Sequence, residues 1–113
     1  MKYDLENRTS KFAESVIQLC QKSSKTVVTF PIIGQLVRSG TSIGANYCEA
    51  NGALSKKDFR NKIAICKKEG KETMYWLNLL MFADNKLENE CKYILQEATE
   101  LTLIFSKILF SSK

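Results

Sequence analysis

The residues able to do acid–base or nucleophilic chemistry in this chain are few, and they lack the company such chemistry needs. Glu49, Glu69 and Glu72 are the central acids that could carry protons, and Cys20, Cys48, Cys66 and Cys91 are the thiols. The chain contains no histidine, so the Ser-His and Cys-His pairings that activate a nucleophile are unavailable. The cysteines are widely spaced, with no CxxC pair. A zinc site needs closer ligands, and there is no histidine to complete one. A di-metal carboxylate bundle would use ExxH pairs, and none occurs. Glu72 lies beside Trp76 in helical projection, so a partly buried carboxylate paired with a lysine or with backbone donors is expected there. The expectation is a non-enzyme, with no catalytic residue, metal, cofactor or small-molecule substrate.

The residues that do form a pattern are basic. At about 100° per residue, Lys56, Lys57, Arg60, Lys67, Lys68 and Lys71 project within about a third of one helix circumference, while Asp58, Glu69 and Glu72 fall on the far flank. Two readings stand side by side. One is a solvated face of snorkelling side chains. The other is an anion-binding ridge, whose cations neutralise phosphates and release counterions. Such a ridge would hold a nucleic-acid backbone without reading sequence. Tyr75 and Phe82 continue roughly along this face. They could stack on bases, but burial in a bundle or at a subunit contact is the expectation for them. No RNP motif, KH loop or zinc finger accompanies the ridge.

The elements that must carry these residues are helices. Phe59, Ile63, Cys66, Gly70, Thr73, Leu77 and Leu80 recur at alternating steps of four and three, the stripe of a helix packed in a bundle. Leu36, Gly40, Ile43, Tyr47 and Ala50 keep the same rhythm before it, and Asn51-Gly52 marks the turn between. A first helix is expected from about Leu5 to Ser23, with Leu5, Phe12, Val16 and Leu19 inward. Ser23 to Thr26 reads as a loop. The second helix opens around Pro31, which suits a first helical turn, and ends at Gly52 as a C′ residue. Ser55 and Asp58 are spaced as a capping box for the third, which runs to about Ala83. Asn85 and Glu88 form a similar pair before a fourth helix carrying Leu87, Cys91, Ile94, Ala98, Leu101, Phe105 and Ile108. Ser111 to Lys113 are expected to fray. Short links between four helices favour an up-down-up-down all-α bundle.

Gly40 and Gly44 lie inside the second helix, where each costs about 1 kcal/mol relative to alanine. Close approach of a neighbouring backbone is the expected compensation. A phosphate loop is excluded, since the GxxxxGK[ST] spacing is missing and no strand precedes it. Ile33, Val37, Gly44 and Cys48 widen the apolar side of this helix to about half its circumference. One bundle seam needs less, so a second buried contact is expected, with Gly40, Ile43, Gly44 and Tyr47 as helix-packing or oligomer contacts.

The whole chain sets the outer limits. With 113 residues, residues 1–113 make one domain with one core. A net charge of +5 permits an acidic partner without demanding one. The N-terminal MKYDLENRTSKF lacks the apolar run of a signal peptide, and no run approaches a membrane span. A cytoplasmic location without membrane association is expected, with the cysteines as reduced, mostly buried thiols.

The segment SGTSIGANYCEANG followed by SKKDFRNKIAICKKEGKETMYWLNLL resembles the bacterial four-helix-bundle family of 23S rRNA intervening-sequence proteins. The similarity extends upstream through residues 31–38 and departs at Tyr47-Cys48, where many members carry smaller or aliphatic residues. The resemblance implies a left-handed up-and-down bundle assembled as a ring-shaped homo-oligomer, typically a pentamer, without agreed catalytic residues. Some members are encoded within insertions in rRNA genes. A relative of the same fold is the accessory protein of diversity-generating retroelements, which binds a reverse transcriptase and nucleic acid. The favoured expectation is therefore a non-enzymatic oligomer associated with RNA or nucleoprotein through the basic face. The alternative is a protein-interaction scaffold, for example an accessory subunit of a retroelement reverse transcriptase.

Overall fold

The structure is a computed structural model that describes residues 4–112. Four helices follow one another: α1 (Leu5–Lys22), α2 (Thr29–Asn51), α3 (Lys56–Ala83) and α4 (Glu88–Ser111), the last entered through a 3-10 turn at Asn85–Leu87. Each packs on the next, and α4 closes back on α1. The result is an up-down-up-down four-helix bundle 44 Å long. That length matches the 28 residues of α3 at about 1.5 Å per residue.

The apolar stripes account for the core. Leu5, Phe12, Val16 and Leu19 of α1 and Leu36, Ile43 and Ala50 of α2 are buried. They meet Ile63, Cys66, Leu77 and Leu80 of α3 and Cys91, Ile94, Ala98, Leu101 and Phe105 of α4. Small residues let the helices close. A Cβ at Gly40 would meet both methyls of Val16 at 3.0 Å, and one at Gly44 would meet the Thr9 hydroxyl at 3.1 Å. Gly40 therefore faces a side chain of α1, while a Cβ at Gly44 would also stand 3.6 Å from the α1 backbone at Thr9, the close approach expected there. Ile43 is buried, and Tyr47 packs on Phe105 with ring centroids 6.2 Å apart. All four proposed contact residues of α2 are thus occupied within the chain.

The helix ends show where spacing alone misleads. The stretch at Ser23–Thr26 holds the true cap of α2: the Thr26 hydroxyl accepts from the N–H of Thr29 (3.1 Å), and the Thr29 hydroxyl accepts from the N–H of Thr26 (2.9 Å). This is a reciprocal capping box, one turn ahead of Pro31. Gly52 closes α2 with φ −93°, in the right-handed region that any residue adopts. It is the cap residue itself, not a left-handed C′. Ser55 caps α3 through Asp58 N (3.0 Å), but among the described residues Asp58 returns no bond. Asn85 caps nothing with its side chain.

Asp84 ends α3 instead, and its carboxylate accepts from the Ser23 hydroxyl (3.0 Å) and the Ser24 N–H (3.1 Å). The α1–α2 loop is thereby tied to the α3–α4 turn. Burial alone would push Asp84 up, but these donors together with Lys86 hold it below the usual carboxylate range. At the opposite end, Arg60 Nη1 donates to the Leu109 carbonyl (2.6 Å) and the Ser112 hydroxyl (2.7 Å). The last turn of α4 is consequently held rather than frayed through Ser112; Lys113 lies outside the described residues.

Candidate nucleic-acid interface

Side chains on α3 face one of three ways: into the core, towards α2, or outwards. On the α2 side lies a polar seam. The Thr73 hydroxyl and the Ser39 hydroxyl are 2.9 Å apart, and Thr73 also donates to the Glu69 carbonyl (2.7 Å). Arg38 of α2 reaches across to Glu69 Oε1 (3.2 Å) and to Glu72. The Trp76 indole N–H donates to Glu72 at 3.3 Å. That bond first, and Arg38 after it, hold the Glu72 carboxyl below its ordinary value against the opposing effect of burial. The expected lysine or backbone partner of Glu72 is therefore an arginine and an indole. Arg38 is the functional-looking residue that projection of single helices misses, because its partners are on another helix.

Glu69 is only 7% exposed and belongs to the same arginine, while Glu49 pairs with Lys62 at 3.0 Å. Each central acid therefore serves as a structural counter-ion. Three of the four thiols are similarly withdrawn. Cys20, Cys66 and Cys91 are buried and free, Cys48 is exposed and free. Burial pushes Cys20 and Cys91 up to about 11 and Cys66 to about 12, which keeps them protonated at neutral pH and poor as nucleophiles or ligands. Among the described residues no group of three His, Cys, Asp or Glu is placed to hold a metal ion. An open groove of about 660 Å³ between α1 and α4 is lined by Phe12, Ser15, Tyr93 and Ile94. Its acids Glu97 and Glu100 are taken by Arg8, at 2.7 and 2.9 Å.

On its outward side α3 carries the six basic residues, and they are not equivalent. Lys56, Lys57, Lys68 and Lys71 are exposed, Arg60 and Lys67 half-buried. Arg60 is committed to the C-terminus of α4, where a cation also complements the helix dipole. Lys68 lies 3.9 Å from Glu69, a loose contact on a largely exposed side chain. Lys57, Lys67 and Lys71 make no ion pair among the described residues. Elsewhere on the bundle Lys62, Lys92 and Lys22 each face a carboxylate. Tyr75 and Phe82 are 58% and 89% exposed. Of the two expected fates, burial in the bundle or at a subunit contact, the first is overturned, since both rings lie on the outward side of α3.

The fold and site thus define an all-helical bundle whose central acids are held as counter-ions and whose outward α3 face carries Lys57, Lys67 and Lys71 without an ion pair among the described residues. The sequence comparison narrows this. Residues 1–107 match the model of the 23S rRNA-intervening sequence protein family, and the chain belongs to that family. A crystal structure of a protein of unknown function from the S23 ribosomal protein family of Bacteroides thetaiotaomicron is similar at 33% identity and a TM-score of 0.82. The match covers 92% of this chain and 96% of that one. No curated protein matches. None of the described helices is long and apolar enough to cross a membrane.

Proposed function

We propose that this chain is a non-enzymatic, RNA-associated bundle that works as a cytoplasmic homo-oligomer and contacts RNA through the outer face of α3. The observation that carries the reading is the set Lys57, Lys67 and Lys71, which share one face and have no carboxylate partner among the described residues, whereas Lys22, Lys62 and Lys92 each have one. Cations left unpaired by the fold are available to phosphates, and their contribution to binding is counterion release. The name of the family, 23S rRNA-intervening sequence protein, is consistent with an RNA context. A ring, the pentamer that the family resemblance implies, would repeat the face around an axis and raise avidity without new contacts.

The test is RNA binding by the whole chain as a function of salt. Reversal of Lys57, Lys67 and Lys71 to glutamate should abolish binding while leaving helicity and sedimentation unchanged. Arg60 is excluded from this set because its reversal would also release the end of α4. Wild-type protein that binds no RNA at low salt would refute the reading. A second reading, a protein-interaction scaffold such as a polymerase accessory subunit, is favoured by exposed Val27, Val28 and Phe30 at the α1–α2 end of the bundle. Protein capture that persists in the triple reversal, without RNA, would support it.

A further inference from the structure

We infer that the outer face of α3 is a site for single-stranded RNA, with phosphates on its lysine half and unpaired bases on its aromatic half. This rests on the RNA reading above and adds to it the kind of RNA. Lys57, Lys68, Lys71, Tyr75 and Phe82 are separated by 11, 3, 4 and 7 residues. At about 100° per residue they fall within about 60° of one another, with Lys67 at the edge. Ala64 fills the remaining position of the stripe, so no carboxylate interrupts it. From Lys57 to Phe82 the stripe runs about 38 Å along one continuous helix, long enough for a strand of several nucleotides.

The two halves differ in chemistry. About the first four turns, from Lys57 to Lys71, offer cations. Beyond Lys71 the same line offers two large rings, Tyr75 and Phe82, each exposed by more than half. Tyr75 is also braced: its ring meets Trp76 edge-on, with centroids 5.0 Å apart and planes at 75°. Trp76 is itself anchored through its N–H to Glu72. A ring fixed in this way loses little freedom when a base stacks on it. Base–aromatic stacking needs a free base face, which a strand offers and a duplex does not. A solvated basic face needs no aromatic continuation, and a duplex-binding face would not use one.

The experiment compares one unstructured RNA of about a dozen nucleotides with the same RNA annealed to its complement, using the full chain and the Y75A/F82A variant across a salt series. Wild type should prefer the single strand. Y75A/F82A should lose about fivefold to a hundredfold per ring on the single strand, with the duplex affinity and the salt slope unchanged. Tyr75→Phe should retain binding. Lys68→Ala and Lys71→Ala should each lower the salt slope on the single strand by about 0.7. If both lysine variants weaken binding but Y75A/F82A does not, the stacking half is overturned and the ridge stands. If wild type binds neither RNA at low salt, the underlying reading fails and this inference with it. A change in sedimentation for Y75A/F82A would assign the rings to a subunit contact and overturn the site.

Discussion

Replacing Gly70 tests how closely α3 and α4 approach. A Cβ at this position would stand 2.3 Å from the Thr102 hydroxyl oxygen, about an ångström inside contact, yet 3.5 Å from Thr102 Cβ. The hydroxyl is itself held, donating to the Ala98 carbonyl at 2.7 Å. Gly70→Ala therefore brings two opposed effects. Helix propensity favours alanine by about 1 kcal/mol. Against it, either the hydroxyl must rotate and give up a bond of about 1 kcal/mol, or the helices must part at a cost of about 1–3 kcal/mol. The net expectation is a loss on the order of 1 kcal/mol. Thr102→Ala removes the obstructing oxygen, after which the new methyl sits at ordinary contact distance. In that background Gly70→Ala should stabilise by about 1 kcal/mol. Urea unfolding of the four proteins, followed by helical circular dichroism, measures the coupling as a double-mutant cycle. A coupling of about 1–3 kcal/mol is expected. Effects that add to within about 0.5 kcal/mol would refute the close approach at Gly70.

Other consequences are equally accessible. Asp84 and Glu72 are held below their ordinary values, so their contribution to stability is complete above the ordinary carboxylate range and declines as pH falls through the folded values; Asp84→Asn and Glu72→Gln should each flatten the acid limb of a stability–pH curve. The buried thiols shift the opposite way, from an ordinary value of 9.0 up to about 11 for Cys20 and Cys91 and about 12 for Cys66. Their stabilisation is complete below pH 9 and is lost as pH rises towards 11–12, and Cys66→Ala should reduce that alkaline loss. In native protein at neutral pH a thiol reagent should titrate Cys48 rapidly and the other three only at the rate of opening. Arg60→Met should release the last turn of α4 at a cost on the order of 1 kcal/mol, seen as faster amide exchange from about Leu109 onward.

The bundle was legible because burial follows a period. The stripes of α2, α3 and α4 place Leu36, Ile43, Ile63, Leu77, Leu101 and Phe105 inward, and each is fully buried. The end of α3 and the start of α1 were also set locally, by apolar rhythm. Most of what escaped depends on a residue from elsewhere in the chain, and one cap escaped although it is local. Asn85 and Glu88 have capping spacing, but Asp84 heads the turn and turns to Ser23 and Ser24 of another loop. Thr26 and Thr29 were hidden in a run that looked like a loop, because a Thr-x-x-Thr box lacks the acid that usually signals one. Arg60 belonged by projection to the ridge, and the end of α4 claims it. The aromatic half of the outer face was visible as a line, but the prior for large apolar side chains favours burial. Only the positions of α2 and α4 reveal that nothing among the described residues covers Tyr75 and Phe82.

The seam between α1 and α4 has a kinetic consequence. Its ion pairs join Arg8 to Glu97 and Glu100, residues 89 and 92 positions apart. The other helix pairings join neighbours through short links, so their loops close at little entropic cost. The seam must wait until both ends of the chain have been brought together. Its side chains should therefore contribute little to the folding transition state. Weakening it, by Glu97→Gln with Glu100→Gln, should leave the folding limb of a chevron nearly unmoved and raise the unfolding rate. The lifetime of the folded protein is then governed by this last closure, and the speed of folding by the hairpins that precede it.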